Sequence, residues 1–170
     1  MQAQRKRGRP LDEQARARKR EDILACAAGV FARRGYPGTD MQAVADEAGI
    51  AKGTIYLYFP SKEELFLAAV DQGMTSLRSE VDSAIASLAD PLDIIAGAIR
   101  AYLRFFKNHP EQVELLILER AEFRDRKRST YHDHREAGRP RWNRLVSDLV
   151  SSGRLREMPV SRVMDVVGDL

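Results

Sequence analysis

Four side chains suited to an anionic duplex fall within seven positions: Lys52, Thr54, Tyr56 and Tyr58. In a helix over 52–58, Ile55 and Phe59 stand four apart and bury, which leaves those four room to face outward. An ammonium can meet phosphate or guanine, a threonine a base edge or methyl group, and a tyrosine hydroxyl a phosphate. Either tyrosine can instead pack on the first helix, and spacing alone leaves both readings open. A second candidate is Lys6-Arg7-Gly8-Arg9-Pro10. Proline biases its neighbour toward extended geometry, so Arg7 and Arg9 form a narrow arm suited to an A·T-rich minor groove. A solvated basic tail is the alternative. The third candidate, His132-Asp133-His134, places its imidazoles two apart on a helix, on different sides, whereas helical metal pairs prefer four. No metal site, cofactor or catalytic residue is expected, because no nucleophile motif or phosphate-binding glycine loop accompanies it.

The elements that must position the first group run from Ala43 to Phe59. Ala45 is small enough for two helices to cross closely, Gly49 can take the positive φ of a tight turn, and Ile55 buries the second helix on the first. Ala, Gly and Ile at this spacing are the pattern of a helix-turn-helix, whose second helix enters the major groove. A lead-in helix is expected over 16–34, with Ile23, Ala27, Val30 and Phe31 on its buried face. Cys26, set among alanines, reads as a small core residue. Thr39-x-x-Gln42 has capping-box form and opens the next helix; the Thr39 hydroxyl can cap it, meet a phosphate, or both. Pro60 stops the recognition helix, and Ser61-Lys62-Glu63-Glu64 is a second capping box. It opens a helix of about 25 residues, hence about 40 Å, with apolar residues from Leu65 to Leu88. Lys62 lies in its first turn, where the macrodipole disfavours a cation; a nearby phosphate would offset that, or plain solvation would.

Asp90-Pro91 is an N-cap with proline at the first helical position. The helix that follows carries Ile94, Ile95, Ala98, Ile99, Tyr102, Leu103 and Phe106 on a wide apolar face. Pro110 starts another, apolar almost all round over Val113–Leu118 and therefore expected to be buried. Residues 124–128 form a charged break. A helix over about 130–152, with a bend or restart at Gly138-Arg139-Pro140, presents Trp142, Leu145, Leu149 and Val150. Val160, Val163, Met164, Val167 and Leu170 open a last amphipathic helix that stops in mid-pattern, so the expectation is that the chain is cut short or that its natural end is unusual. Tyr102, Phe105, Phe106, Leu116, Glu119, Phe123 and Trp142 are candidate walls of a ligand pocket, with core filling as the alternative.

These elements give an all-α fold. A basic, flexible arm (1–15) precedes a three-helix helix-turn-helix domain (16–62). A long fourth helix joins that domain to a helical ligand-binding and dimerisation bundle (63–170). The 170 residues are 44% hydrophobic and 31% charged, as in a soluble globular chain, and no apolar run approaches the length of a membrane span. The net charge is only +3, yet the first twenty residues hold eight Arg and Lys against Asp12 and Glu13. A basic end on a near-neutral body points to a local anionic partner. A single cysteine excludes an internal disulfide and suits a reducing cytoplasm. No apolar region follows the basic end, so it is not a secretory signal.

Residues 16–70 resemble the TetR (AcrR-like) family of bacterial one-component transcriptional regulators. Ile23, Ala27, Phe31, Gly35, Tyr36 and Thr39 carry the likeness in the lead-in. Val44, Ala45, Ala48, Gly49, Gly53, Tyr56, Tyr58, Phe59, Lys62, Leu65 and Phe66 carry it beyond. The resemblance implies a homodimer that binds a palindromic operator in double-stranded DNA, usually as a repressor released by a small-molecule effector. It also implies backbone contacts from Thr39, Tyr56, Tyr58 and Lys62, and groove reading from Lys52 and Thr54 around Gly53. Many members carry Ser or Thr where this chain has Ala51, so one helix-start hydroxyl is missing. The competing readings are a metal-binding or enzymatic protein using His132 and His134, and a membrane-surface adaptor using the basic arm. That arm lacks aromatic anchors and, Leu11 apart, apolar ones.

Overall fold

The computed structural model describes residues 10–156, which form seven helices and no strand. The arm arginines Arg7 and Arg9, and the closing amphipathic stretch from Val160 to Leu170, lie outside the described residues. Among the described residues no helix is long and apolar enough to cross a membrane. The chain divides into two compact units at Gln72/Gly73, within its fourth helix.

In the first unit, α1 (Pro10–Arg34) starts earlier than expected, so residues 10–15 are helical rather than a flexible arm. Proline at the first helical position explains the start: its missing N–H has no intrahelical role there. α1 buries Ile23, Leu24, Ala27, Val30 and Phe31 and ends at Gly35, whose φ of 73° suits a residue without a Cβ. α2 (Met41–Glu47) buries Met41, Val44 and Ala45. Its cap is Asp40, not Thr39: the Asp40 carboxylate accepts the Ala43 N–H at 2.8 Å. Gly49, at φ 62°, makes the turn into α3 (Lys52–Tyr56). α3 is shorter than expected, ending two residues before Tyr58, and buries only Ile55. α4 (Lys62–Ile85) begins as expected, with Ser61 Oγ accepting the Glu64 N–H. Phe66 packs edge-on against Phe31 at 5.0 Å and Tyr36 at 5.2 Å between ring centres.

In the second unit, α5 (Pro91–Asn108) has Asp90 at its N-cap, accepting from Leu92 N and Asp93 N. α6 (Pro110–Glu122) follows after His109. α7 (Thr130–Ser151) is capped by Ser129 and runs unbroken through Pro140. Gly153, at φ 70°, lies just past its end. Met74, Leu77 and Phe105 form a buried cluster, packed around by Val81, Tyr102, Phe106, Leu116 and Tyr131. Two expectations are corrected here. α6 is not buried all round: Val113 and Ile117 are exposed, and its inward line is Gln112, Leu115 and Glu119. Two of those three are polar, so a hydrophobicity pattern does not register them. On α5, likewise, Ile99 and Leu103 face outward while Gly97, Ala98, Ala101 and Phe105 are buried.

Candidate nucleic-acid interface and ligand-binding residues

α3 turns one apolar side chain inward and leaves a polar flank outside. Lys52, Gly53 and Tyr56 are exposed, and Thr54 is half-buried. Ala51 stands at the N-cap with no side-chain hydrogen bond, as its lack of a hydroxyl requires. Leu57, 75% exposed, is the residue sequence reasoning missed. Its apolar type suggested no chemistry, yet an aliphatic group beside Tyr56 is what a thymine methyl would meet. Tyr58 is half-buried with the Arg16 guanidinium 5.8 Å from its ring centre, so it leans on α1, the alternative that spacing had left open. Arg20 stacks in the same manner over Phe59, at 5.1 Å.

Two expected contacts turn inward. Thr39 is only 2% exposed, and its hydroxyl donates to the Gly35 carbonyl at 2.8 Å. Its donor is therefore used to close the turn after α1, not held out for phosphate. Lys62 donates to the carbonyls of Tyr36 (2.9 Å) and Thr39 (3.0 Å), and its ammonium lies 4.4 Å from the Tyr36 ring centre. These acceptors, 23 and 26 residues back in the chain, offset the unfavourable macrodipole of the first turn without any phosphate. One of its three N–H donors is left. Cys26 is half-buried, and burial, with Glu47 next, pushes its thiol up, which disfavours the nucleophilic thiolate.

The seven pocket candidates separate in space. Phe105 is 1% exposed and belongs to the interior cluster, with Tyr102, Phe106 and Leu116 packed on it. The Tyr102 and Tyr131 hydroxyls meet at 3.2 Å, and burial followed by that hydrogen bond raises the Tyr102 phenol well above its ordinary range. Trp142 is half-buried on α7 with Arg141 5.6 Å from its ring centre. Glu119 and Phe123 line a cleft of about 410 Å³. His132 lines it too, but among the described residues no three His, Cys, Asp or Glu converge to hold a metal ion.

Comparison with known proteins places this arrangement. The profile of bacterial regulatory proteins of the tetR family matches residues 23–69. The chain is 35% identical over 110 residues to the transcriptional activator FasR of Mycolicibacterium smegmatis, covering 65% of this chain and 48% of FasR. It therefore spans about half the length of that relative. It is 30% identical over 146 residues to the transcriptional regulator YfiR of Bacillus subtilis, covering 82% of this chain and 69% of YfiR. The transcriptional repressor KstR2 of Mycobacterium tuberculosis is 28% identical over 139 residues, covering 81% of this chain and 70% of KstR2. The structure of KstR2, a ketosteroid transcriptional regulator, superposes with a TM-score of 0.68 over 89% of this chain and 78% of that one, at 27% identity. With the three-helix module, the long α4 and the helical second unit in place, the chain belongs to the TetR family of bacterial transcriptional regulators.

Proposed function

We propose that this chain binds a palindromic operator in double-stranded DNA as a homodimer, represses transcription from it in the cytoplasm, and is released by a small-molecule effector. The observation that carries the reading is the outward flank of α3, where Lys52, Tyr56 and Leu57 are exposed and Thr54 half-buried around a single buried anchor, Ile55. In this reading Lys52 and Thr54 read the groove, with Gly53 allowing close approach, and Tyr56 holds a phosphate. Lys62 offers its remaining donor to the backbone, and Thr39 and Tyr58 shape the surface more than they touch it. Arg7 and Arg9 supply the minor-groove arm. DNA contact is assigned to the residues up to 62. The effector role is assigned to those beyond, around Tyr102, Phe106, Leu116, Glu119, Phe123 and Trp142. Repression is favoured by KstR2, a named repressor of which the chain covers 70%. No chemical transformation is assigned.

Selection of bound fragments from random duplex DNA tests this directly. The expected product is an inverted repeat whose half-sites lie about one helical turn apart, ~34 Å. On that site log affinity should fall linearly with log salt, and Tyr56→Ala should weaken binding by about tenfold. Replacing operator thymines by deoxyuridine should weaken the parent but not Leu57→Ala. Enrichment of no sequence, or affinity indifferent to salt, overturns the reading.

A further inference from the structure

The charged break after α6 folds into something the proposed DNA contact does not use. Where α6 ends and α7 begins, the connecting turn and the two helix ends enclose the cleft of about 410 Å³. Five cations line it: Arg120, Arg124, Arg126, Lys127 and Arg128. Only Arg126 among them is ion-paired within the described residues, to Glu119, while Arg124 donates to the Ala121 carbonyl. Exposed cations are ordinarily solvated, and five alone would carry no assignment.

The second observation is Glu119 itself. It is 2% exposed and lines the same cleft. All three of its donors crowd onto one oxygen: Oε1 accepts Arg126 Nη1, Thr130 N (2.9 Å) and Thr130 Oγ1 (2.7 Å). Oε2 is buried with no hydrogen-bond partner among the described residues. A carboxylate oxygen held out of water is costly until a donor answers it. The guanidinium groups call for an anion, and Oε2 calls for an O–H or N–H. Half-buried Phe123 adds an apolar surface to the lining.

We infer that this cleft is a binding site for a small organic phosphate that also carries a hydroxyl or amino group, the phosphate on Arg120, Arg124, Lys127 and Arg128 and the donor on Glu119 Oε2. The site includes Glu119 and Phe123, so it rests on the effector role proposed for them and gives that role a ligand class; it shares no residue with the interior aromatic cluster around Phe105 and does not depend on the DNA reading. It is tested on the free protein, so failure here leaves operator binding untouched, and the reverse also holds.

Ribose 5-phosphate is the probe, titrated into the full chain at constant ionic strength by calorimetry and ³¹P NMR, with inorganic phosphate and ribose as controls. Saturable binding of one ribose 5-phosphate in the millimolar range or tighter is expected. It should exceed inorganic phosphate by about tenfold, the worth of a hydrogen bond to a charged group. Arg120→Ala with Arg128→Ala should weaken both phosphates by about tenfold or more. These side chains are exposed, so the fold should survive their loss. Glu119→Gln puts a donor where an acceptor stood and should abolish the preference for ribose 5-phosphate over inorganic phosphate. If that variant fails to fold, the arginine pair still decides. Absence of saturable binding, equal affinity for the two phosphates in the parent, or binding indifferent to Arg120 and Arg128 each overturns the inference.

Discussion

The two units treat buried polar atoms differently. Before Gln72, the buried hydroxyl of Thr39 has its acceptor, and Lys62 spends two donors on turn carbonyls. After Gly73, three buried side-chain atoms have none among the described residues: Gln112 Oε1, Glu119 Oε2 and Asn143 Oδ1. The apolar surface follows the same division. Among the described residues, the large exposed apolar side chains of the first unit are Tyr56 and Leu57, at the end of α3, whereas in the second Leu92, Ile99, Leu103, Val113 and Ile117 are spread over α5 and α6. In the function proposed here, the first unit must match a rigid duplex, and such a surface gains from having every internal bond made beforehand. The second, in the same proposal, answers a ligand and keeps polar groups whose partners come from outside.

The largest test of that contrast is in the rings. Phe66 is fully buried between Phe31 and Tyr36. Phe66→Ala should cost about 3–5 kcal/mol in denaturant unfolding, and Phe106→Ala, at a half-buried ring of the second unit, clearly less. Equal losses would break the comparison. Next comes Gly73, where a Cβ would stand 1.9 Å from Gln112 Oε1. Gly73→Ala should cost about 1–3 kcal/mol, and adding Gln112→Ala should return most of it in a double-mutant cycle. A neutral Gly73→Ala would show that this glutamine swings freely. Gly49→Ala forces a Cβ into the left-handed region at φ 62° and should cost about 1–2 kcal/mol, read from the thermal midpoint.

The smallest effect is with acid. The Ala43 N–H holds the Asp40 carboxyl below its ordinary value; the Arg154 guanidinium does the same for Asp90. A carboxyl depressed by folding stabilises above its unfolded value of about 3.9 and loses that contribution as pH falls through its folded one. Thermal midpoints should therefore drop below about pH 4. Arg154→Met should blunt the Asp90 share and leave the Asp40 share intact, measured against Asp90→Asn and Asp40→Asn.

Much of this was legible because apolar spacing reports burial. Ile23, Ala27, Val30, Phe31 and Ile55 were placed inward and are buried. Gly49 was expected in a turn that needs positive φ and has it, at 62°. What failed did so for local or long-range reasons. Thr39 and Asp40 are adjacent cap formers, and a capping-box pattern chose the wrong one. The inward line of α6 is two-thirds polar, so its conspicuous Val113 and Ile117 misled. Lys62 finds acceptors more than twenty residues away, and Glu119 finds Thr130 eleven residues ahead, neither of which spacing can express. The cleft was visible only as a run of charge.

The tie from Lys62 has a mechanical consequence. One ammonium at the head of α4 grips both ends of the bend that separates α1 from α2. Torque applied to that head therefore cannot be absorbed by the bend as slack. It is transmitted to Tyr36 and Thr39 together, and through Asp40 to the leading turn of α2.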